Sequence, residues 1–199
     1  MKEAEKLTLN YYNEKALAFC KDTRDVDFSA FQTAFTRHLP EGGRILDLGC
    51  GSGRDSKAFL KAGYQVTAVD GSSELGRIAS EFIGQPVICS TFQDYVPAEE
   101  FDGIWACASL LHVPSEELAG IFATLAKSLK ASGCFYVSFK YGDFRGVRNG
   151  RFFQNMTESS LGELLKDIPE LEIISTKITG DVRAGREKEL WLNVLLKKA

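Results

Sequence analysis

Apolar and polar positions alternate along the chain in two different periods, and the periods take turns. Near the N-terminus Phe28, Phe31, Phe35 and Leu39 recur at helical spacing, so the first 40 or so residues read as helical. "LPEGG" then breaks the chain. From Arg44 onward short apolar runs, "RILDLG", "YQVTAVD", "PVICSTF", "FDGIWACASL" and "GCFYVSFK", read as strands. Between them lie the helical stretches "RDSKAFLKA", "SSELGRIASEFI" and "SEELAGIFATLAKSLK", and after them "TESSLGELLKDI". Gly63 is placed to stop the first of these as a C-terminal cap. In the third, Ser115 is expected to cap, with Glu116 and Glu117 in the first turn. Its apolar stripe is Leu118, Ile121, Phe122, Leu125 and Leu129.

Such alternation predicts an α/β fold, a mostly parallel sheet with helices on both faces. The C-terminal end departs from it: "LEIISTKIT", a loop and "ELWLNVLLKK" follow one another with no helix between. So short a connection predicts that the last strand runs antiparallel.

Composition narrows the class. The chain has 199 residues, 44% hydrophobic and 26% charged, with a formal net charge of -3, which suits one globular domain and not a general nucleic-acid binder. The longest apolar runs fall short of a membrane span, and "MKEAEKLTLN" has no apolar signal core, so a cytoplasmic protein without membrane attachment is expected. Five cysteines are scattered with no Cys-x-x-Cys pair, so neither a metal site nor a disulfide framework is expected. Cys89, Cys107 and Cys134 fall in strand-like runs and are expected to be buried.

The candidate chemistry sits in "RILDLGCGSGRD", residues 44–55. A glycine-rich turn between a first strand and a helix lets a ligand approach the backbone. A phosphate-binding loop would need a lysine straight after the glycines, and the first one is Lys57. A dinucleotide fold would need Gly-x-Gly-x-x-Gly, whereas Gly49, Gly51 and Gly53 give Gly-x-Gly-x-Gly. A second acid, Asp70, ends the second strand, where a carboxylate can accept ribose hydroxyls.

Asp47-Leu48-Gly49-Cys50-Gly51-Ser52-Gly53, with Asp70 after it, resembles the first motif of class I S-adenosylmethionine (SAM) methyltransferases. The resemblance extends from about Phe28 to Lys197. It implies a Rossmann-like sheet of seven strands, SAM as methyl donor and S-adenosylhomocysteine as product. It also implies roles: Gly49, Gly51 and Gly53 beneath the methionine part, Asp47 near its ammonium, Asp70 on the ribose, Thr91 and Phe92 beside adenine. Many members carry an acid where Thr91 stands. Arg54, at a helix start, either helps hold the methionine carboxylate or pairs with Asp55 or solvent. "LDLGCGSGRDSKAFLKAGYQVTAVD" followed by "GIWACASLLHVP" is similar to a narrower group, the tellurite-resistance (TehB-like) methyltransferases.

Ligands of open α/β sheets lie beyond the carboxyl ends of the strands. That places Ser109 and His112 of "ASLLHVP" at the donor end, with Ser109 as a cofactor contact. His112 is either a general base or a side chain that caps the turn before Pro114. Two basic, glycine-bearing stretches are expected to converge on the acceptor: "KYGDFRGVRNGR", with Lys140, Arg145, Arg148 and Arg151, and "GDVRAGREK", with Arg183 and Arg186. Arginines there suit a small anionic acceptor, or are solvated loop charge. Tyr12, in the N-terminal helical segment, is expected to reach the same place. The whole reads as one domain, residues 1–199, with 1–40 a helical lid and 41–199 a SAM-binding core, a monomer or homodimer. RNA or another nucleic acid as acceptor, and SAM binding without catalysis, stand as alternatives.

Overall fold

The computed structural model describes residues 3–183 and 185–199. Helices α1 (Glu3–Thr23) and α2 (Ser29–Thr36) come first. Then follow β1 (Arg44–Leu48), α3 (Arg54–Lys61), β2 (Gln65–Asp70), α4 (Ser73–Ile83), β3 (Ile88–Cys89) and β4 (Phe101–Ala106). A 3-10 turn, Leu110–His112, leads to α5 (Ser115–Ser128) and β5 (Leu129–Lys140). The chain closes with β6 (Arg145–Arg148), β7 (Arg151–Gln154), α6 (Glu158–Leu165), β8 (Leu171–Gly180) and β9 (Leu190–Lys198).

Seven strands form one sheet in the order β3-β2-β1-β4-β5-β9-β8. β1, β2, β3, β4 and β5 pair in parallel. β9 runs antiparallel to both β5 and β8. The expected α/β architecture and the reversed last strand are therefore both present. Strand order reverses between β1 and β4, the place where ligands of such sheets bind.

The central strands are buried on both faces, which is why "RILDL" and "FDGIWA" read as nearly continuous apolar runs. One face packs on α5 and α6 through Phe122, Phe135, Leu161 and their neighbours. The other packs Phe35, Phe59 and Trp105 together, with Phe28, Phe31 and Leu39 of the predicted stripe partly buried against them. Real capping is done by Ser72, whose hydroxyl accepts from Leu75 N, and by the Thr157–Ser160 capping box.

Several local expectations need correction. Ser115 does not cap: Pro114 precedes the first helical residue, and the Ser115 hydroxyl donates to Glu116 and accepts from Arg145. β3 has only two residues at the sheet edge, so Cys89 is exposed instead of buried. Cys107 is half-buried, and Cys134 is buried as expected. The stretch "KYGDFRGVRNGR" is no open loop. Its second half builds the hairpin β6–β7, paired from Arg145↔Gln154 to Arg148↔Arg151. Asn149 and Gly150 take φ of 51° and 75°, the pair of positive angles that a two-residue hairpin turn requires.

The approach of α2 to β4 depends on a missing side chain. A Cβ on Gly103 would lie 2.5 Å from the Phe35 ring and 2.9 Å from Leu39. Gly103→Ala should therefore lower unfolding free energy by about 1–3 kcal/mol. Gly120→Ala, on an exposed helical position with nothing within 4 Å, should raise it by up to about 1 kcal/mol. Urea denaturation of both variants checks the pair, and equal shifts would contradict the packing described.

Candidate functional site

The loop after β1 is shaped by what closes in on it. Gly49, Gly51 and Gly53 adopt φ of 82°, 56° and 78°, a region that L side chains avoid. Each also admits a different neighbour. A Cβ on Gly49 would stand 2.4 Å from Ser109 Cβ, one on Gly51 3.0 Å from the Phe19 ring, and one on Gly53 2.9 Å from Ile83. Gly49 and Gly51 line a cavity, but Gly53 does not. Its missing side chain lets α3 start against α4.

Asp70 ends β2 on the cavity wall. One carboxylate oxygen accepts from Gly51 N and the other from Ser72 N, both at 2.8 Å. Burial raises its pKa above the usual carboxylate value, and the two N–H donors oppose that. Each oxygen keeps acceptor capacity for a further donor.

Asp47 is elsewhere. Its carboxylate accepts from Ser56 Oγ at 2.5 Å and does not line the cavity. Burial, reinforced by Asp55, pushes it up to about 8. Asp55, expected only as one alternative partner of Arg54, lines the cavity and organises this corner. It accepts from Gln32, from Trp105 Nε1 and, on both oxygens, from Arg54. Arg54 also lies 4.5 Å over the Phe28 ring. Of the two expectations for Arg54, the structure shows the pair with Asp55. The signal was present in an acid at the first turn of α3, but its partners come from α2 and β4.

Thr91 and Phe92 line the cavity beyond Asp70. The Thr91 hydroxyl donates to Asp94, so the acid at this corner stands three residues on. Ser109 is buried, and its Oγ has no partner among the described residues.

At the other end of the cavity α1 crosses from the glycine loop to the hairpin. Leu9 sits where a Gly71 side chain would be, Asn13 accepts from Ser72, and Thr23 donates to Ser52. Thr8 accepts from Phe152 N. Tyr12 meets His112, with Oη and Nε2 2.8 Å apart. His112 Nδ1 lies 2.6 Å from the Phe152 carbonyl, which can only accept. Nδ1 therefore carries the proton, and Nε2 accepts from Tyr12. Arg151 in turn donates to Tyr12 Oη at 3.2 Å. Burial, with Arg151 and Lys140 nearby, holds His112 down to about 4, so the ring is neutral at pH 7.

The two basic stretches do converge: Lys140, Arg148, Arg151, Arg183 and Arg186 all line the same cavity. Arg145 does not; it pairs with Glu116. The cations differ in their partners. Lys140 pairs with Glu189, and Arg183 with Asp181, which also takes Trp191 Nε1. Arg148 and Arg151 form no carboxylate pair among the described residues and lie over aromatic rings, Phe144 for one and Tyr11 for the other. Arg151 Nε is buried without a partner among the described residues.

The cavity has a volume of about 590 Å³, within the range of small-molecule sites. Its loop end suits a ligand carrying a ribose and a flat base: a backbone cradle, a buried carboxylate, an aromatic edge and the free Ser109 hydroxyl. No cluster of three metal-ligating side chains occurs among the described residues, and no helix there is long and apolar enough to cross a membrane.

A family model described as a methyltransferase domain matches residues 45–133. The ubiquinone biosynthesis O-methyltransferase of Actinobacillus pleuropneumoniae is 32% identical over 172 residues, 79% of this chain and 73% of that protein. An uncharacterized methyltransferase of Staphylococcus carnosus is 28% identical over 163 residues, 78% of this chain and 79% of its own length. Against YqeM of Bacillus subtilis the identity is 33% over 103 residues, and the chain spans only 41% of that relative. The fold superimposes on 1,6-didemethyltoxoflavin-N1-methyltransferase of Burkholderia thailandensis, solved with its substrate and S-adenosylhomocysteine, with a TM-score of 0.74 and 22% identity. That match covers 100% of this chain and 92% of the other.

A pH dependence of stability follows from Asp47. Its folded value is raised to about 8 above the unfolded one, so the protonated form is favoured on folding. The associated stability is full below the unfolded value of about 4 and is lost as pH rises to about 8. Asp47→Asn should flatten the decline in unfolding free energy between pH 5 and 8, measured by urea titration at each pH. An unchanged slope would contradict a buried, protonated Asp47.

Proposed function

The chain belongs to the class I SAM-dependent methyltransferases, and from that premise we propose that it methylates a small anionic acceptor held by its two basic stretches. The observation that carries this reading is the continuity of one cavity, from Gly49 and Asp70 at one end to Arg148, Arg151 and Arg186 at the other. SAM, when bound, supplies an electrophilic methyl group on a sulfonium. The chain supplies position and shelter.

In this reading Gly49 and Gly51 leave backbone room for the donor, and Asp70 accepts its ribose hydroxyls. Thr91 and Phe92 flank its base, and Ser109 offers a hydroxyl beside the loop. Asp47 and Gly53 act from behind, by holding the loop and the start of α3. Arg54, paired with Asp55, presents a neutralised edge. Residues 1–40 act as a lid on a core of 41–199, because α1 touches the glycine loop, the start of α4 and the hairpin at once.

Arginine, with its planar fork of donors, is the side chain best suited to a carboxylate, phosphate or other oxyanion. Among the described residues Arg148 and Arg151 have no carboxylate of their own to satisfy, unlike Lys140 and Arg183. The net charge of -3 makes this local excess of cations a feature of the cavity and not of the composition. We place the protein in the cytoplasm, acting on a small molecule and not on nucleic acid.

Separate Arg151→Ala and Arg186→Ala variants test the reading. Each should raise the acceptor KM by about tenfold or more, as expected for a lost charge-assisted contact, with the Kd for SAM unchanged. Normal acceptor KM in both would refute the anionic acceptor.

A further inference from the structure

The group at the cavity most suited by type to take a proton is His112, and its surroundings leave it no vacancy. Nδ1 is committed to the Phe152 carbonyl, and Nε2 accepts from Tyr12. Tyr12 Oη is itself held from behind by Arg151. The ring is clamped further by Tyr12 and Phe153, edge-on at 5.5 and 4.9 Å. The charges that face it are cationic: Arg151 from β7 and Lys140 from β5, with the neutral phenol of Tyr12 from α1. A second positive charge at this point would sit beside Arg151, in a buried setting. Asp70 of β2 acts on Tyr12 more weakly than Arg151 does.

The other titratable groups of the cavity are spoken for as well. Asp55, Asp70, Asp181 and Glu189 each accept hydrogen bonds or ion pairs already described, the hydrogen bond with Glu158 raises the Tyr141 phenol, and burial pushes up the Cys50 and Cys107 thiols, the latter to about 12. Glu5, on the cavity face of α1, is the exception, with a buried Oε1 that has no partner among the described residues.

We infer that the acceptor atom is itself the anion: an oxyanion that arrives already ionised is methylated, and His112 is a positioning residue that fixes Tyr12 and, through it, Arg151. This rests on the anionic-acceptor reading and adds which atom reacts. The acceptor oxygen's lone pair forms the new bond to the methyl carbon while the carbon–sulfur bond breaks, the pair staying on sulfur. No proton leaves in that step. One negative and one positive charge vanish together, and a partly buried cavity favours that change over one that creates an imidazolium beside two cations. The product is a methyl ester or methyl ether.

The test uses the full chain at saturating SAM with ring-substituted phenols and benzoates whose own acidities span several units. The acidic limb of the kcat/KM profile should move with the acidity of each acceptor. It should stay in place in His112→Gln and in Glu5→Gln. His112→Gln should lower kcat/KM by less than about tenfold, against the 10²–10⁴-fold typical of a lost general base. The inference is overturned by a limb fixed at one pH for all acceptors or displaced in either variant. Methylation confined to neutral amines or alcohols, or no turnover of any acceptor in the series, overturns it too. A fixed limb combined with a raised KM in Arg151→Ala would remove this inference and leave the anionic acceptor standing.

Discussion

The Asp70 carboxylate takes one backbone N–H from Gly51 and one from Ser72, and the functional end of the sheet is built around that double acceptance. It ties the loop after β1 to the start of α4, across the gap between two parallel strands. Hydrogen bonds to an ionised group are worth about 1.5–3 kcal/mol each, enough to hold a loop in left-handed conformations that cost energy at every non-glycine residue. With the loop fixed, the three glycines determine who its neighbours are. Ser109 closes on the first, Phe19 on the second and Ile83 on the third. The turn after β4, helix α1 and helix α4 therefore all take their positions from a five-residue segment.

Electrostatics divides the cavity in two. At the loop end the charges are internally satisfied: Asp55 with Arg54 and Asp70 with backbone donors. At the far end they are not. Asp181 and Glu189 neutralise Arg183 and Lys140, while Arg148 and Arg151 rest on aromatic faces. Cations over rings are only partly compensated, and an anion bound there meets donors that lose little by turning to it. Tyr12 and His112 join the two ends. They connect α1, the turn after β4 and the hairpin into one arm that leaves neither ring nitrogen free.

Much of this was legible in the chain. Alternating periods predict the α/β layering, and the helix-free connection before "ELWLNVLLKK" predicts the antiparallel strand now seen between β5 and β8. The motif from Asp47 to Gly53 with Asp70 locates the loop end, and the arginines of two stretches locate the other. What was hidden is long-range. Nothing local tells that Gln32 and Trp105 meet Asp55, or that Tyr12 lies 100 residues in sequence from the histidine it binds. Cys89 read as buried because strand-like residues usually are, but a two-residue strand at the edge of a sheet has no second layer to cover it. The Asn149–Gly150 pair was a strong hairpin signal that its basic flanks obscured.

The crystal structure of the chain with S-adenosylhomocysteine bound tests the whole account in one measurement. The account predicts ribose hydroxyls on the Asp70 carboxylate and the base between Thr91 and Phe92. It predicts the sulfur toward His112 and Tyr12, with Arg148, Arg151 and Arg186 left open beyond it. Ligand density seated instead among those arginines, or a ribose away from Asp70, would contradict it.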